Sequence, residues 1–318
     1  MALNQFFKLI ALILLSSCSN ETNKSDIDYQ EEFNSITFAF ENSSILDFNA
    51  QQDIDGEFLS DFINKLDPQK SIFLKSDIAK FQSEELTNTY NVLSNVVEVF
   101  YDRYSLSLEL RKDLLMKYKF NFDLDESIYF NKDKGFMSNK DEIEDYERKI
   151  IKNELIVKML NGDNFEEARK ELLNNYKDRI SSLKKIRASD KFGVLANNFL
   201  SLLDPHSSYF SQRDIENWNL RMNLSFEGIG AILGYENEKA QIEELMPGGP
   251  AINSKKINVG DRIISVGQGS EGVMENVIGW RLDDIVDSIR GDEGTIVKLE
   301  VETDSTTKII ELERGKVS

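Results

Sequence analysis

The chain has 318 residues, with 38 lysines and arginines against 56 aspartates and glutamates, for a formal net charge of −18. This excess of negative charge would repel a phosphate backbone, so nucleic acid is excluded as an expected partner. With 40% hydrophobic residues the chain can bury a core, and its length predicts about two domains.

The first residues, MALNQFFKLIALILLSSCSN, combine a positive charge at Lys8 with a short apolar run. That run is too short to span a bilayer and is typical of a signal-peptide core. The LSSC that follows is similar to the lipobox of bacterial lipoproteins, in which the cysteine is acylated. We therefore expect residues 1–18 to be a lipoprotein-type signal peptide and 19–29 a linker. The protein would be periplasmic, anchored to the membrane only through a lipid at Cys18; the alternative is an ordinary secretory signal with an incidental cysteine.

The next region is predicted to be helical. Thirteen of the 17 glycines lie at residue 228 or beyond, so the earlier part is nearly free of glycine. Large apolar residues recur every three or four positions across 84–120 and again across 189–203, which is the spacing of amphipathic helices. The sequence therefore predicts an all-α domain over residues 30–219.

Two pairs of polar residues predict helix starts within this domain. Ser138 with Asp141, and Asp163 with Glu166, have the spacing of helix-capping pairs, and each is followed by a run of helical periodicity.

Two helix ends are related in sequence. LDPQKSIFLKSDI (66–78) and LDPHSSYFSQRDI (203–215) share seven residues at the same offsets, and Pro68 and Pro205 each end a helical pattern. The pattern favours a helix stop, a turn and a new helix that is capped near Asp77 or Asp214. A ligand site is the alternative.

After residue 220 the pattern changes to strands and turns. One helix, predicted over 279–291, interrupts the strands. The expected fold for residues 220–315 is a small β-sandwich or partly open barrel with a flanking helix, so the whole chain is α+β. The candidate strands are 222–226, 229–235, 240–245, 262–266, 296–302 and 307–313.

Most catalytic and cofactor motifs are absent from the sequence. Residues 267–272 match GxGxxG, but no alternating β-α-β pattern surrounds them, so they predict a glycine-rich hairpin turn. His206 is the only histidine and Cys18 the only cysteine, which excludes HExxH and cysteine-rich zinc sites. There is no GxSxG elbow or GxxxxGK[ST] loop. We expect no metal and no cofactor.

The stretch SFEGIGAILG (225–234) is a candidate anion site. A glycine-containing turn that leads directly into a strand can bind a peptide carboxylate through successive backbone N–H groups, while the peptide adds as an extra strand. An ordinary glycine hairpin is the alternative, and spacing alone does not decide between the two.

The surrounding motifs carry a family resemblance. ELMPGGPAINSKKINVGDRIISVGQ (244–268), followed by WRLDDIVDSIRG and TIVKLEV, resembles a PDZ domain. Together with the upstream LDPHSSYFS and LDPQKSIFLKSDIAKF, it is similar to the C-terminal processing peptidases, specifically their tail-specific protease branch.

The resemblance implies a domain order and an activity. In that family a helical domain and a PDZ domain precede a catalytic domain with a Ser/Lys dyad, which makes the protein a serine endopeptidase. Residues 316–318 would begin the catalytic region, with the dyad beyond Ser318, so this chain alone is expected to be inactive. Expected partners are protein substrates with exposed apolar C-termini, with an adaptor lipoprotein as a further candidate. The rival interpretation is a non-catalytic lipoprotein adaptor that binds protein C-termini through its PDZ domain.

The resemblance also assigns site residues. The N–H groups of Ile229, Gly230 and Ala231 would bind the substrate carboxylate. Arg281 could assist the carboxylate, although an exposed ion pair with Asp283 or Asp284 is favoured. The peptide-binding strand and pocket would comprise Gly228, Ile229, Ile232, Leu233, Leu282, Ile285 and Val286.

Overall fold

The structure is a computed structural model that describes residues 27–43, 54–84, 88–128, 135–215, 218, 226–236, 238–303 and 306–317. Two compact units divide the chain, residues 1–50 and 51–318. The first contains helix α1 (Tyr29–Ser43), at whose start Asp28 accepts hydrogen bonds from the N–H groups of Gln30 and Glu31. In the described part of the chain, no helix is both long and apolar enough to cross a membrane.

Where the structure describes it, the second unit begins with a series of helices, as the apolar periodicity predicts. The helix predicted over 84–120 is α4, which starts after the Asn88 cap, and the helix predicted over 189–203 is α7. The helices are α2 (Gly56–Leu66), α3 (Lys75–Ser83), α4 (Thr89–Lys117), α5 (Lys140–Leu160), α6 (Phe165–Lys184) and α7 (Ala188–Leu203).

Two helix starts lie one residue later than predicted. The α5 cap is Asn139, whose side chain accepts from the Glu142 N–H. The α6 cap is Asn164, which forms a reciprocal capping box with Glu167. Asparagine caps a helix about as well as serine or aspartate, and Glu142 and Glu167 each accept from a backbone N–H that precedes the helix. The predicted pairs are Ser138 with Asp141 and Asp163 with Glu166.

Helices α4, α5 and α6 share one hydrophobic core, which surrounds a buried ion pair. Glu147 is completely buried, accepts from the Ser107 hydroxyl and pairs with Arg111. Burial opposes the charge of Arg111, but the Glu147 carboxylate raises the pKa of Arg111 above its ordinary value. The apolar residues of this core include Leu108, Leu115, Ile151, Leu155, Ala168, Leu172 and Ile180.

The two related helix ends are turns built on an aspartate. At the end of α2, the Asp67 carboxylate accepts from the N–H groups of Ser71, Ile72 and Phe73 at 2.9, 2.8 and 3.1 Å. Asp67 is only 2% exposed. After α7, Asp204 accepts from the His206 N–H, a hydrogen bond that lowers the pKa of Asp204. The prediction of a helix stop and a turn is confirmed.

The sheet domain follows, and most of its predicted strands are present, with ends that agree or differ by one or two residues. The strand predicted over 222–226 is β1, which begins at Phe226; residues 222–225 lie outside the described residues. Strands β5 and β8 and helix α8 were not predicted, and β8 crosses the predicted domain boundary at residue 315. The elements are β1 (Phe226–Gly228), β2 (Ala231–Glu236), β3 (Lys239–Leu245), α8 (Pro250–Ser254), β4 (Arg262–Gln268), β5 (Glu275–Asn276), α9 (Leu282–Ile289), β6 (Ile296–Thr303), β7 (Thr306–Glu313) and β8 (Gly315–Val317).

The main sheet is antiparallel, with strand order β2-β3-β4-β6-β7 and β5 paired with β4, while β1 pairs with β8 in a separate two-stranded sheet. The GxGxxG stretch runs from the end of β4 into the connection to the antiparallel strand β5, so the predicted hairpin turn is confirmed. Helix α9 is shorter than predicted, because Gly279 adopts a left-handed φ of 79° and Arg290 is extended. Among the described strands, β2 ends the order and leaves one edge of the sheet open.

Removing the Asp67 carboxylate should destabilise the helical domain far more than removing that of Asp204. Asp67→Ala leaves three backbone donors without their acceptor, one of them on a buried residue, and we expect a loss of about 3 kcal/mol. The matched variant Asp204→Ala should cost much less, because the His206 N–H that loses its acceptor is exposed to water. Urea unfolding monitored by circular dichroism measures both, and equal losses would contradict the burial argument.

Candidate functional site

The loop between β1 and β2 is held by hydrogen bonds to its backbone carbonyls. The Ile229 carbonyl accepts from the Ala251 N–H at 2.8 Å, and the Gly230 carbonyl accepts from the Met246 N–H at 2.9 Å. The N–H groups of Ile229 and Gly230 have no acceptor among the described residues. The loop is therefore fixed by its carbonyls while its N–H groups stay available to an anion.

Position 230 requires glycine. Its φ is 73°, a left-handed conformation that other residues rarely adopt. A Cβ at this position would also lie 2.9 Å from the Cα of Gly249 and 3.3 Å from a methyl group of Val317. Any side chain here would push apart the two segments that shape the loop.

The open edge of β2 continues directly from this loop. Because the Gly230 carbonyl is directed to the β3 side, strand alternation turns the backbone groups of Ala231 and Leu233 toward the open edge. Those groups are the ones that an added strand would pair with.

A cleft of about 340 Å³ lies between β2 and α9. Seven of the predicted site residues line it: Gly228, Ile229, Gly230, Ala231, Ile232, Leu233 and Val286. Three further lining residues were not predicted: Met246, Ile289 and Arg290. Ile289 follows Val286 by three positions and so lies on the same helix face, a spacing that could have identified it.

Two predicted pocket residues are not part of the cleft lining. Ile285 is completely buried in the core of the sheet domain, and Leu282 packs against that core. By helix spacing they share one apolar side with the cleft residues Val286 and Ile289, and Ile289 belongs to the same core. The periodicity identified the apolar side of α9 but did not separate its sheet-facing part from its cleft-facing part.

Arg281 is directed away from the cleft, so the idea that it assists the carboxylate is wrong. Its guanidinium pairs with Asp190 at the start of α7 and donates to the Lys185 carbonyl at 3.1 Å. The predicted pair with Asp283 is present as well, at 3.3 Å. Burial raises the pKa of Asp190, but the hydrogen bonds and charges of Arg281 and Arg187 lower it below its usual value. The arginine that lines the cleft is Arg290.

Further ion pairs connect the outer side of α9 to the helical domain. Asp284 pairs with Arg187, and Asp287 pairs with Arg213 at 2.5 Å. The helix that forms one wall of the cleft is therefore held from behind by charged residues that lie before the sheet domain.

Asp190→Asn should weaken this attachment. The substitution removes the charge that pairs with Arg281 while keeping the size of the side chain, and we expect calorimetry to show the sheet domain melting separately from the helices. Because the folded-state pKa of Asp190 is lowered, the wild-type contribution is present above the ordinary carboxylate pKa and is lost as the pH falls through the folded value. The calorimetric traces of the wild type and of Asp190→Asn should therefore become alike in acid.

Asp113→Asn is the matched control, since Asp113 forms an exposed ion pair with Lys117 within one helix and such pairs contribute little. A trace that Asp190→Asn leaves unchanged would contradict the proposed attachment.

A small antiparallel sheet with a glycine loop, an open edge strand and a facing helix defines the PDZ class, here preceded by a helical domain. Family models agree with this architecture: that of the tail-specific protease N-terminal domain matches residues 36–213, and that of the PDZ domain matches 217–302. The chain belongs to the tail-specific protease family.

Two relatives and one solved structure illustrate the similarity. A tail-specific protease of Haemophilus influenzae is 32% identical over 272 residues, which are 80% of this chain and 38% of that protein. A probable CtpA-like serine protease of Staphylococcus aureus (strain bovine RF122 / ET3-1) is 31% identical over 146 residues, or 45% of this chain and 28% of that protein. The chain thus spans less than two fifths of the length of either relative.

The solved structure is the PDZ domain of a carboxy-terminal protease from Vibrio cholerae in complex with peptide. It is 42% identical, and the match covers 30% of this chain and 98% of that one with a TM-score of 0.28.

Proposed function

We propose that this chain is the substrate-recognition part of an exported tail-specific serine endopeptidase, and that its cleft binds the apolar C-terminus of a protein substrate. The observation that supports this most directly is the loop at 229–230, whose N–H groups are available beside the open edge of β2. A terminal carboxylate is the anion that can use both features at once.

In this proposal the carboxylate accepts hydrogen bonds from the N–H groups of Ile229, Gly230 and Ala231. Hydrogen bonds to a charged group contribute about 1.5–3 kcal/mol each, so they supply much of the affinity. The residues before the carboxylate pair with the open edge of β2 as an added antiparallel strand. The last side chain enters the cleft against Val286 and Ile289.

Arg290 adds positive charge at the cleft. A guanidinium near the loop would favour a terminal carboxylate over a neutral amide through long-range attraction, even without a direct hydrogen bond. We therefore assign Arg290 the role that the sequence suggested for Arg281.

Peptide-bond cleavage in this proposal is performed by a Ser/Lys dyad of the full protein, to which this chain delivers the substrate. A non-catalytic lipoprotein adaptor would use the same cleft, and an adaptor lipoprotein could also present substrates to it. Expression of the whole coding region decides between protease and adaptor, because only the protease would shorten a bound protein from its tail.

Peptides that end in a free apolar residue should bind, and their amidated twins should bind at least about tenfold more weakly, because amidation removes the charge that the loop N–H groups recognise. Fluorescence anisotropy with labelled eight-residue peptides ending in valine measures this difference on the full chain. Equal affinities for the acid and the amide would contradict carboxylate recognition.

Two variants locate that binding in the cleft. Gly230→Val should abolish it, and Gly279→Val is the control because Gly279 has a similar φ of 79° but no close neighbour. Val286→Trp should fill the cleft and abolish binding with the fold intact. Its control is Ile309→Trp, at an exposed position on β7. Binding that survives both cleft substitutions would place the peptide elsewhere.

We also propose that the protein is exported to the periplasm and acylated at Cys18, which lies outside the described residues. Bacteria that express the protein with radiolabelled palmitate should incorporate label into it, and Cys18→Ser should abolish incorporation because the thiol that carries the lipid is lost. Label that persists in Cys18→Ser, or that never appears in the wild type, would contradict the lipid anchor.

A further inference from the structure

A glutamate covers the outer face of the edge strand β2. Gly234 has no side chain, and the space above its backbone is occupied by the side chain of Glu243 from β3: a Cβ at Gly234 would lie 2.8 Å from the Cγ of Glu243 and would overlap its carboxylate. Glu243 is exposed and has no ion pair or hydrogen bond to any described residue. The carboxylate thus lies across the edge strand with its charge uncompensated.

A β-bulge explains this position. Ile232 pairs with Glu244 and Leu233 pairs with Ile242, so Glu243 is an extra residue in β3 without a partner in β2. Bulges redirect side chains at sheet edges. Here the bulge directs Glu243 over Gly234, and the missing side chain of Gly234 provides the room.

The register of an added peptide follows from the proposed carboxylate site. If the last residue of the peptide pairs with Ala231, antiparallel pairing puts the third residue from the end opposite Leu233 and the fourth opposite Gly234. Residues opposite each other in a sheet point to the same face, and neighbouring strands are about 4.8 Å apart. The side chain of the fourth residue from the end would therefore stand beside the Glu243 carboxylate, with no Gly234 side chain between them.

We propose that Glu243 is a specificity-determining residue that selects substrates with lysine or arginine at the fourth position from an apolar C-terminus. This inference rests on the proposed function, because it needs the peptide to add to β2. Pairing with a cation would compensate the charge of Glu243, whereas an acidic residue at that position would be repelled.

The test uses the full chain and labelled eight-residue peptides that end in valine and differ only at the fourth residue from the end, which is lysine or glutamate. At low ionic strength we expect the lysine peptide to bind about fivefold more tightly, as favourable and unfavourable exposed charge pairs allow. The difference should shrink in high salt, because exposed charges are screened.

Three variants assign the preference to Glu243. Glu243→Gln should reduce it to less than about twofold, and Glu243→Lys should reverse it. Gly234→Ala should reduce it without changing any charge, since the added methyl displaces the carboxylate. Glu311→Gln is the control: it changes the net charge by the same amount, but Glu311 lies on β7 at the other end of the strand order, and the preference should persist.

The outcomes separate this inference from the proposed function. Equal binding of acid and amide peptides would contradict carboxylate recognition itself. A clear preference for the acid combined with equal affinities for the lysine and glutamate peptides would overturn only the role of Glu243, as would a lysine preference that Glu243→Gln leaves unchanged.

Discussion

The cleft depends on the close approach of two glycine backbones, Gly230 and Gly249. That approach brings the start of α8 against the loop, so that the Ala251 N–H can hold the Ile229 carbonyl. With the carbonyls fixed on one side, the N–H groups turn to the other. Val317 of β8 closes the same contact from a third direction, which connects the loop to the last described residues of the chain.

The general fold could be predicted from the sequence because it follows from periodicity. The helix period over 84–120 and the strand patterns after 220 reflect burial of whole elements, and such patterns tolerate errors of a few residues. The short strands β5 and β8 carry no pattern of their own. They form because β4 and β1 provide pairing partners. Such pairing depends on the folded structure and cannot be predicted from two or three residues of sequence.

The candidate site was predictable to the extent that it is made of backbone. Glycine spacing indicated the loop, whereas side-chain roles depended on where neighbouring elements lie. Arg281 illustrates the difference: two aspartates follow it at positions 283 and 284, yet its main partner is Asp190, which is 91 residues away in the chain. Ile285 was predicted to line the pocket but is buried in the core for the same reason. Only the packed sheet shows which part of the apolar face of α9 remains open.

The two walls of the cleft, the loop before β2 and helix α9, are not held equally firmly. Buried backbone contacts fix the loop, so little conformational entropy is lost when a ligand binds to it. Helix α9 is apolar on the sheet side but is secured from behind by the exposed pairs of Asp284 and Asp287, and such pairs are weak and screened by salt. If the proposed function is correct, adjustment to different terminal side chains should therefore come from α9, while the carboxylate would be bound by the more firmly held loop.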